Sequence, residues 1–513
     1  MPRRLPLAFG RTVAASIAGV IVSLGFAPVG WWWLVPVGVA ILFVAVRGAR
    51  AGLGAVCGAA YGFRFLACHA DWMRAVSDAA WLALGAANAV YYALIGLVAG
   101  WAWRRRGSPL WLALGWTSVE GLRASWPFGG MPWGQLAFAS IDTPMQRLLP
   151  YVGTVGTTAL IALLAALLAR LVVLREPYRV AVSLSPGTAT GIVLIVVVTG
   201  AAWLVPWQAA TVGHWDVVVV QPGLQATSIG QQHYALTQRL ADATTALARA
   251  VAAGESTRPD LVVWPENSTA VDPLHDSEDH GVISQAVEAI GVPILVGAMI
   301  DDGPTRVLNQ GIVWEPDGTT EQRYTKRHPV PWGEYLPLRS VLGWLHFGTV
   351  LPGRNMVAGP RPTPLRIAGV SVADAICFDI AHDDVVLDQV GDGAQVVTVQ
   401  TSNAAFRGTA QLRQQFDITR VRALETGRTV LVSALNGISG VIRPDGSAAQ
   451  EVDGDGPATL RVDVPLRSAR TPAVLAGAWT WRAMALVTLA GLVASGARGR
   501  RRAGVARRSG SVA

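Results

Sequence analysis

The sequence predicts a polytopic α-helical membrane domain of about eight spans that carries one α/β sandwich domain facing outward. Three observations predict it. Only 15% of the 513 residues are charged, where a soluble protein carries about a quarter, and mean hydropathy is +0.38. The apolar character is uneven: apolar runs continue to Trp207, charge recurs regularly from Val212 to Arg470, then one more apolar run ends in the basic tail RGRRRAGVARRS. Arginines cluster at the ends of alternate runs, which is how cytoplasmic loops are marked. The divisions fall at 1–207, 208–472, 473–497 and 498–513.

A spanning helix needs about 20 mostly apolar residues. Seven candidates precede the charged part: Thr12–Val29, Gly30–Val46, Ala51–Ala67, Ala79–Trp103, Ser108–Leu122, Leu148–Leu174 and Gly187–Trp207; an eighth, Ala478–Ala497, follows it. Further apolar runs follow the first with no small-residue cleavage site, so it is not a removed signal peptide. Arg3, Arg4 and Arg11 precede the first run. Arg47 and Arg50 follow the second, Arg104, Arg105 and Arg106 the fourth, Arg170, Arg175 and Arg179 the sixth, and the tail the eighth. Both termini are then cytoplasmic and the charged part outward. This placement also argues against nucleic acid as a partner, despite a net charge of +8, because these arginines mark orientation rather than one phosphate-binding face. Glu120 and Arg123 are spaced to pair at one helix end, and the Gly/Pro-rich WPFGGMPWGQ (Trp126–Gln135) reads as an outer-surface loop.

In the outward part, short apolar runs alternate with helical segments. WDVVVVQPG (Trp215–Gly223) and LVVWPE (Leu261–Glu266) read as buried strands, as do VPILVGAMI, GIVW, GVSVADAICFD, AQVVTVQTSN and RTVLVSALN. Leu236, Leu240, Ala243, Leu247 and Val251 form one helical stripe; Val282–Ile290, Ala381–Gln389 and Thr409–Thr426 are further helices. GISG (Gly437–Gly440) reads as a hairpin turn. Many strands with few helices over about 260 residues point to sheets inside and helices outside.

Three strand ends carry chemistry. Glu266 closes LVVWPE, Cys377 follows VADAI, and Lys326 follows RYT. Of the 42 lysines and arginines, Lys326 is the one lysine. Chance survival under arginine bias is one reading; a site that needs a compact ammonium in place of a planar guanidinium is the other. Each of the remaining two has a plain structural alternative: Cys377 as a packing residue and Glu266 as a helix cap. Together, an acid, a cation and a thiol are what acyl transfer through a thioester needs.

WPEN, YTKRHPVPWGEYLP and ICFD, in that order, resemble the Glu–Lys–Cys nitrilase (carbon–nitrogen hydrolase) superfamily. The flanking membrane runs narrow the resemblance to its membrane-embedded branch, the apolipoprotein N-acyltransferases. Lys326, His328, Val330, Pro331, Gly333, Glu334 and Tyr335 carry the most specific phrase; RVRALETGR (Arg420–Arg428) and WPFGGMPWGQ match as well. The resemblance implies a nitrilase-like α-β-β-α sandwich between the seventh and eighth spans. It implies Cys377 as nucleophile, Glu266 as general base, Lys326 as oxyanion stabiliser and Glu334 as the second essential glutamate. The ammonium is also expected to hold Cys377 ionised below its usual pKa of about 8.5. Phe378 and Asp379 are expected to support the site, although they stand where Tyr-Glu is frequent in the family. TSNAAF, with Ala404, replaces a segment in which many members have an Asp and a Trp, and LQATSIGQQ lacks a tryptophan that some members carry.

The implied reaction takes an acyl chain from a membrane phospholipid onto Cys377. It then passes the chain to the α-amine of diacylglyceryl-cysteine in an apolipoprotein, in the inner membrane of a bacterium. Val341, Leu342, Trp344, Leu345 and Phe347, close after the glutamate loop, are expected to form an apolar arm facing lipid. The rival readings are a membrane-tethered amidase using the same triad, and a transporter or receptor with a silent one. Eight histidines and three cysteines offer no HExxH or cysteine-pair zinc spacing, so no cofactor or metal is expected. A monomer is the expected state.

Overall fold

A computed structural model describes residues 4–175, 179–223, 233–337, 339 and 353–509. They fall into two compact units. The first comprises Met1–Ala139, Val155–Gly200 and Trp479–Ala513, the second Ser140–Thr154 and Ala201–Ala478. The residues expected to form the apolar arm (Val341, Leu342, Trp344, Leu345 and Phe347) and LQATSIGQQ lie outside the described residues.

In the first unit the apolar runs are helical: α1 (Arg4–Ser23), α2 (Leu34–Val46), α3 (Ala51–His69), α4 (Asp78–Ala102), α5 (Ser108–Ser125), α6 (Leu149–Leu171), α7 (Pro186–Leu204) and, near the C-terminus, a long helix Thr480–Ser509. Against the eight expected spans, four stretches among the described residues are long and apolar enough to cross a bilayer: Ala51–His69, Asp78–Ala102, Pro144–Leu171 and Pro186–Leu204. The run Thr12–Val29 stops as helix at Ser23, where Gly25, Pro28 and Gly30 turn the chain. α2, at 13 residues, is short for a crossing. On α7, Val193, Leu194, Val196 and Val197 are all more than half exposed, which suits lipid and not water.

Small residues let α3 and α4 approach closely. A Cβ on Gly58 would stand 2.0 Å from the Tyr92 carbonyl oxygen, and one on Gly96 2.0 Å from that of Gly54, the small-residue packing common between membrane helices. The expected Glu120–Arg123 pair is replaced by separate partners. Glu120 accepts from Trp116 Nε1 at 3.1 Å and Thr158 Oγ1 at 2.8 Å. Arg123 Nη1 donates to the Met131 and Trp133 carbonyls, both at 2.8 Å. Those carbonyls belong to WPFGGMPWGQ, so only the loop's first half is a surface loop: Trp126 is 63% exposed, whereas Trp133 is 1% exposed. A buried guanidinium needs acceptors, and the folded-back loop supplies them.

The second unit is an α-β-β-α sandwich. After a short hairpin of β1 (Val172–Arg175) and β2 (Arg179–Val182) in the first unit, β3 (Thr211–Gln221), β4 (Leu261–Val263) and β5 (Ile294–Asp301) pair in parallel. Beyond β5, β6 (Arg306–Trp314) and β7 (Arg323–Thr325) are antiparallel, and β8 (Asn355–Met356) joins β6. The last strand, β15 (Ala458–Arg467), closes the other edge against β3. The second sheet runs β14-β13-β12-β11-β10-β9, made of β9 (Leu365–Ile367), β10 (Val370–Ile376), β11 (Val396–Thr401), β12 (Val430–Ala434), β13 (Gly437–Ile442) and β14 (Ala448–Gly454). Its β10, β11 and β12 are parallel. GISG is therefore the start of β13, and the turn lies just before it.

Helices α8 (His233–Ala252) and α9 (Ser277–Ile290) cover the outer face of the first sheet, burying Leu240, Ile283, Val287 and Ile290 against Val218, Val262 and Val296. Asp276 caps α9 by accepting from the Glu278 and Asp279 N–H groups, and Gly291 at φ 70° ends it, the expected asymmetry of helix ends. On the second sheet, α10 (Asp383–Gly391) packs on β10, and α11 (Gln411–Thr426) on β12 and β13. The inner faces meet through side chains that reach across: Ser433 Oγ donates to the Val220 carbonyl at 3.0 Å, Gln400 Nε2 to that of Trp264 at 2.6 Å.

Candidate active site

Three chain segments leave the sheets at the same end and bring Glu266, Lys326 and Cys377 together. Each is followed or accompanied by backbone that only a packed environment holds. Of six non-glycine residues with positive φ among the described residues, Asn267 (57°) follows Glu266, Trp332 (68°) turns the chain before Glu334, and Cys377 itself sits at 54°. Such residues cost about 1–3 kcal/mol each and persist where the surroundings over-determine them. The left-handed Cys377 ends β10 abruptly and opens the 3₁₀ turn Cys377–Ala381.

Lys326 is fully buried. Its Nζ donates to Glu334 Oε1 at 2.6 Å and to Glu266 Oε1 at 3.2 Å. Burial works against the ammonium, but the two carboxylates outweigh it and hold its pKa well above the ordinary value. The lysine is thus a fixed positive charge. Glu266, expected either as base or as helix cap, turns its carboxylate into the site: Oε1 also accepts from Asn309 Nδ2 at 2.7 Å, and Oε2 from the Ser402 N–H at 2.7 Å. Each of these three hydrogen-bond partners is a donor. Glu334 Oε2 accepts from the Val330 N–H at 2.8 Å, so the turn that carries it is closed by the same side chain that grips the lysine.

Cys377 is half-buried, and its state differs from the sequence expectation. Burial pushes the thiol up to about 12, the Glu266 charge pushes the same way, and Lys326 and the Thr401 hydroxyl pull down too weakly to reverse it. A thiol so raised rests protonated, and a carboxylate beside it is a group that can take its proton.

Asp379 is the clamp on the lysine loop. It is fully buried and accepts from Tyr324 Oη at 2.7 Å, the His328 N–H at 2.7 Å and the Arg327 N–H at 3.2 Å. The residue two after Cys377 therefore fixes the backbone next to Lys326. Phe378 does something different: its ring meets His382 edge-on at 5.0 Å. Arg422, from RVRALETGR, is buried and donates to the Ile380 and Ala381 carbonyls at 2.9 and 2.8 Å. It holds the far end of the nucleophile turn while pairing with Glu425 at 2.5 Å.

His328, His382 and Asp384 place three ligand-type atoms within 4.8 Å. The two imidazoles, however, stack at 3.8 Å with 10° between planes, so their lone pairs run side by side and do not converge on one ion. The arrangement is better described as a pair: His328 Nε2 lies 2.9 Å from Asp384 Oδ1. Burial opposes ionisation of Asp384, but the His328 bond and charge outweigh it and hold the acid at about 2. Burial keeps His382 neutral.

The sequence reading missed Asn309, Gln400 and Ser402. Asn309 was legible only as a polar residue in the apolar run RVLNQGIVW; Ser402 acts through its backbone, which leaves no residue-type signal.

The chain is similar to known proteins over most of its length. The family model described as apolipoprotein N-acyltransferase N-terminal domain matches residues 18–167, and that of carbon-nitrogen hydrolase matches 224–472. The apolipoprotein N-acyltransferase of Mycolicibacterium smegmatis is 31% identical over 503 residues, covering 93% of this chain and 83% of that protein. That of Ralstonia nicotianae is 31% identical over 528 residues, covering 98% and 96%. Among solved structures, an amidase of the nitrilase superfamily from Nesterenkonia AN1 aligns with a TM-score of 0.38 at 19% identity, over 52% of this chain and 96% of that one.

Proposed function

From the premise that this chain belongs to the apolipoprotein N-acyltransferase family, we propose that its sandwich moves an acyl chain from a membrane phospholipid, by way of Cys377, to a lipoprotein N-terminus. The protein is an acyltransferase of lipoprotein maturation; donor and mechanism are the part proposed. The observation that carries the mechanism is the Lys326 ammonium held between Glu266 and Glu334, beside a thiol that feels both Glu266 and Lys326.

In the first half-reaction Glu266 takes the Cys377 proton as Sγ attacks the ester carbonyl of the donor. Lys326 faces the negative charge that gathers on the carbonyl oxygen. The C–O bond breaks, Glu266 returns the proton to the departing alkoxide, and lysophospholipid leaves behind a thioester. In the second, the α-amine of diacylglyceryl-cysteine attacks the thioester, giving its proton to Glu266. The C–S bond breaks, the amide forms, and the proton goes back to sulfur. Glu334 holds Lys326 in place throughout; Asp379 holds its loop. A single copy is the working unit of this reading.

The setting is a bacterial membrane. Eight spans, with both termini cytoplasmic and residues 208–472 outward at the inner membrane, are the topology that the arginine distribution favours.

Purified protein given phospholipid and a synthetic diacylated lipopeptide should yield the N-acylated lipopeptide and an equal amount of lysophospholipid, read by mass spectrometry. Turnover of small amides with no lipopeptide acylation would sink the proposal.

A further inference from the structure

Where the inner faces of the two sheets meet, two acceptor oxygens converge and neither has a donor. Asp374 on β10 is fully buried. Its Oδ1 accepts from Thr398 Oγ1 at 2.7 Å, while its Oδ2 and Gln400 Oε1 on β11 are both buried without a partner. Both point into the hollow left by Gly311 of β6: a Cβ there would lie 2.1 Å from Asp374 Oδ2 and 2.6 Å from Gln400 Oε1. The glycine is what makes room for them.

Turning the Gln400 amide over does not remove the conflict. Nε2 now donates to the Trp264 carbonyl at 2.6 Å. Exchanging O and N would set Oε1 against that carbonyl, and neither of those oxygens can carry a proton. In the present orientation one of the facing oxygens belongs to a carboxyl group, which can. We propose that Asp374 holds a proton, donates it to Gln400 Oε1, and thereby acts as a positioning residue for Glu266. Gln400 so fixed keeps Nε2 on the Trp264 carbonyl, two residues before Glu266, while Ser402 on the same segment holds the Glu266 carboxylate itself. The positioning claim rests on the reading of Glu266 as the base; the proton does not.

The electrostatics agree. Burial pushes Asp374 up to about 8 and the Asp379 charge adds to it, against weaker pulls from Thr398 and the Ala375 N–H. The other titratable group that feels it is the Tyr324 phenol, and the contact from α10 is the neutral Gln389, whose Oε1 accepts from the Asp374 N–H at 3.0 Å.

The test is Asp374→Asn in the full chain, whose amide puts an N–H donor where the carboxylic O–H stood. An acid whose folded pKa is raised above an unfolded value of about 3.9 costs stability progressively as pH climbs from that value toward the folded one, and no further beyond it. The Tm of Asp374→Asn minus that of wild type should therefore increase with pH from about 4 to 8 and then level off. At neutral pH the variant should acylate the lipopeptide within about threefold of wild type, since one donor replaces another. Asp374→Leu should lower kcat roughly tenfold or more with KM little changed, because Gln400 Oε1 is left unpaired. A Tm difference that is flat with pH, or an Asp374→Asn chain that does not fold, would overturn the proton. An Asp374→Leu protein with full kcat would overturn the positioning role. If wild type itself failed to acylate the lipopeptide, the functional reading would fall while the melting comparison still decided the proton.

Discussion

Replacing Lys326 by arginine is expected to lower acyl transfer by about 10²–10³ even though the charge is kept. The ammonium fills a fully buried space, with carboxylate oxygens 2.6 and 3.2 Å away. A guanidinium is wider and flat. Its fork can satisfy Glu266 and Glu334 side by side, but its charge then spreads along the carboxylates and away from the oxygen it must face during attack. The extra volume adds strain of about 1–3 kcal/mol in a packed site. Lys326→Met should do still more harm to stability. It leaves the buried Glu266 carboxylate facing the partly buried Glu334 with no cation between them, and breaking a buried pair costs about 3–5 kcal/mol. Steady-state kinetics with the lipopeptide and a thermal melt separate the two variants: arginine should show a loss of kcat with modest loss of Tm, methionine a loss of both. An arginine variant with near-normal kcat would show that the sole lysine of this chain is an accident of composition.

Glu266→Gln is expected to cost about 10²–10⁴ in both half-reactions. Glutamine has nearly the shape of the native side chain, so the loss is chemical and electrostatic. Its oxygen cannot take the Cys377 proton. Its amide also introduces donors where only acceptors fit, because Asn309 Nδ2, Lys326 Nζ and the Ser402 N–H all point at this carboxylate. With the Glu266 charge gone, one of the influences that raise the Cys377 thiol is removed. The variant should therefore react with a neutral alkylating reagent at Cys377 at lower pH than wild type, while failing to acylate. Stopped reactions that follow lysophospholipid release and lipopeptide acylation separately would check both halves. Loss of only the second would assign the thiol's proton to another group.

Glu266 and Cys377 could be singled out because each stands where an apolar run ends, and Lys326 because a lone lysine is visible against a background of arginine. The sandwich was legible for a similar reason: its central strands are short, mostly apolar runs, as buried parallel strands tend to be. What joins the site was not. Asn309 on β6 reaches Glu266 across β5 within the first sheet, whereas Gln400 on β11 and Ser402 just past it reach the Trp264 carbonyl and the Glu266 carboxylate only once the sheets face each other. No local pattern encodes that approach. The state of Cys377 was misjudged because a neighbouring cation is visible in a motif, whereas burial is a property of the whole fold and here outweighs it. Glu120 and Arg123 show the same limit. Three-residue spacing allows a pair, but a loop eight to ten residues further on offered the arginine carbonyls at 2.8 Å.

The central claim is that Cys377 carries the acyl chain between donor and acceptor. Wild-type protein incubated with phospholipid of one defined acyl composition, without lipopeptide, should gain the mass of a single fatty acid less water. That mass should map to the peptide containing Cys377, disappear when lipopeptide is added, and be absent from Cys377→Ala. An active wild-type enzyme that shows no such adduct under conditions that preserve thioesters, or a Cys377→Ala protein that still transfers, would contradict the account.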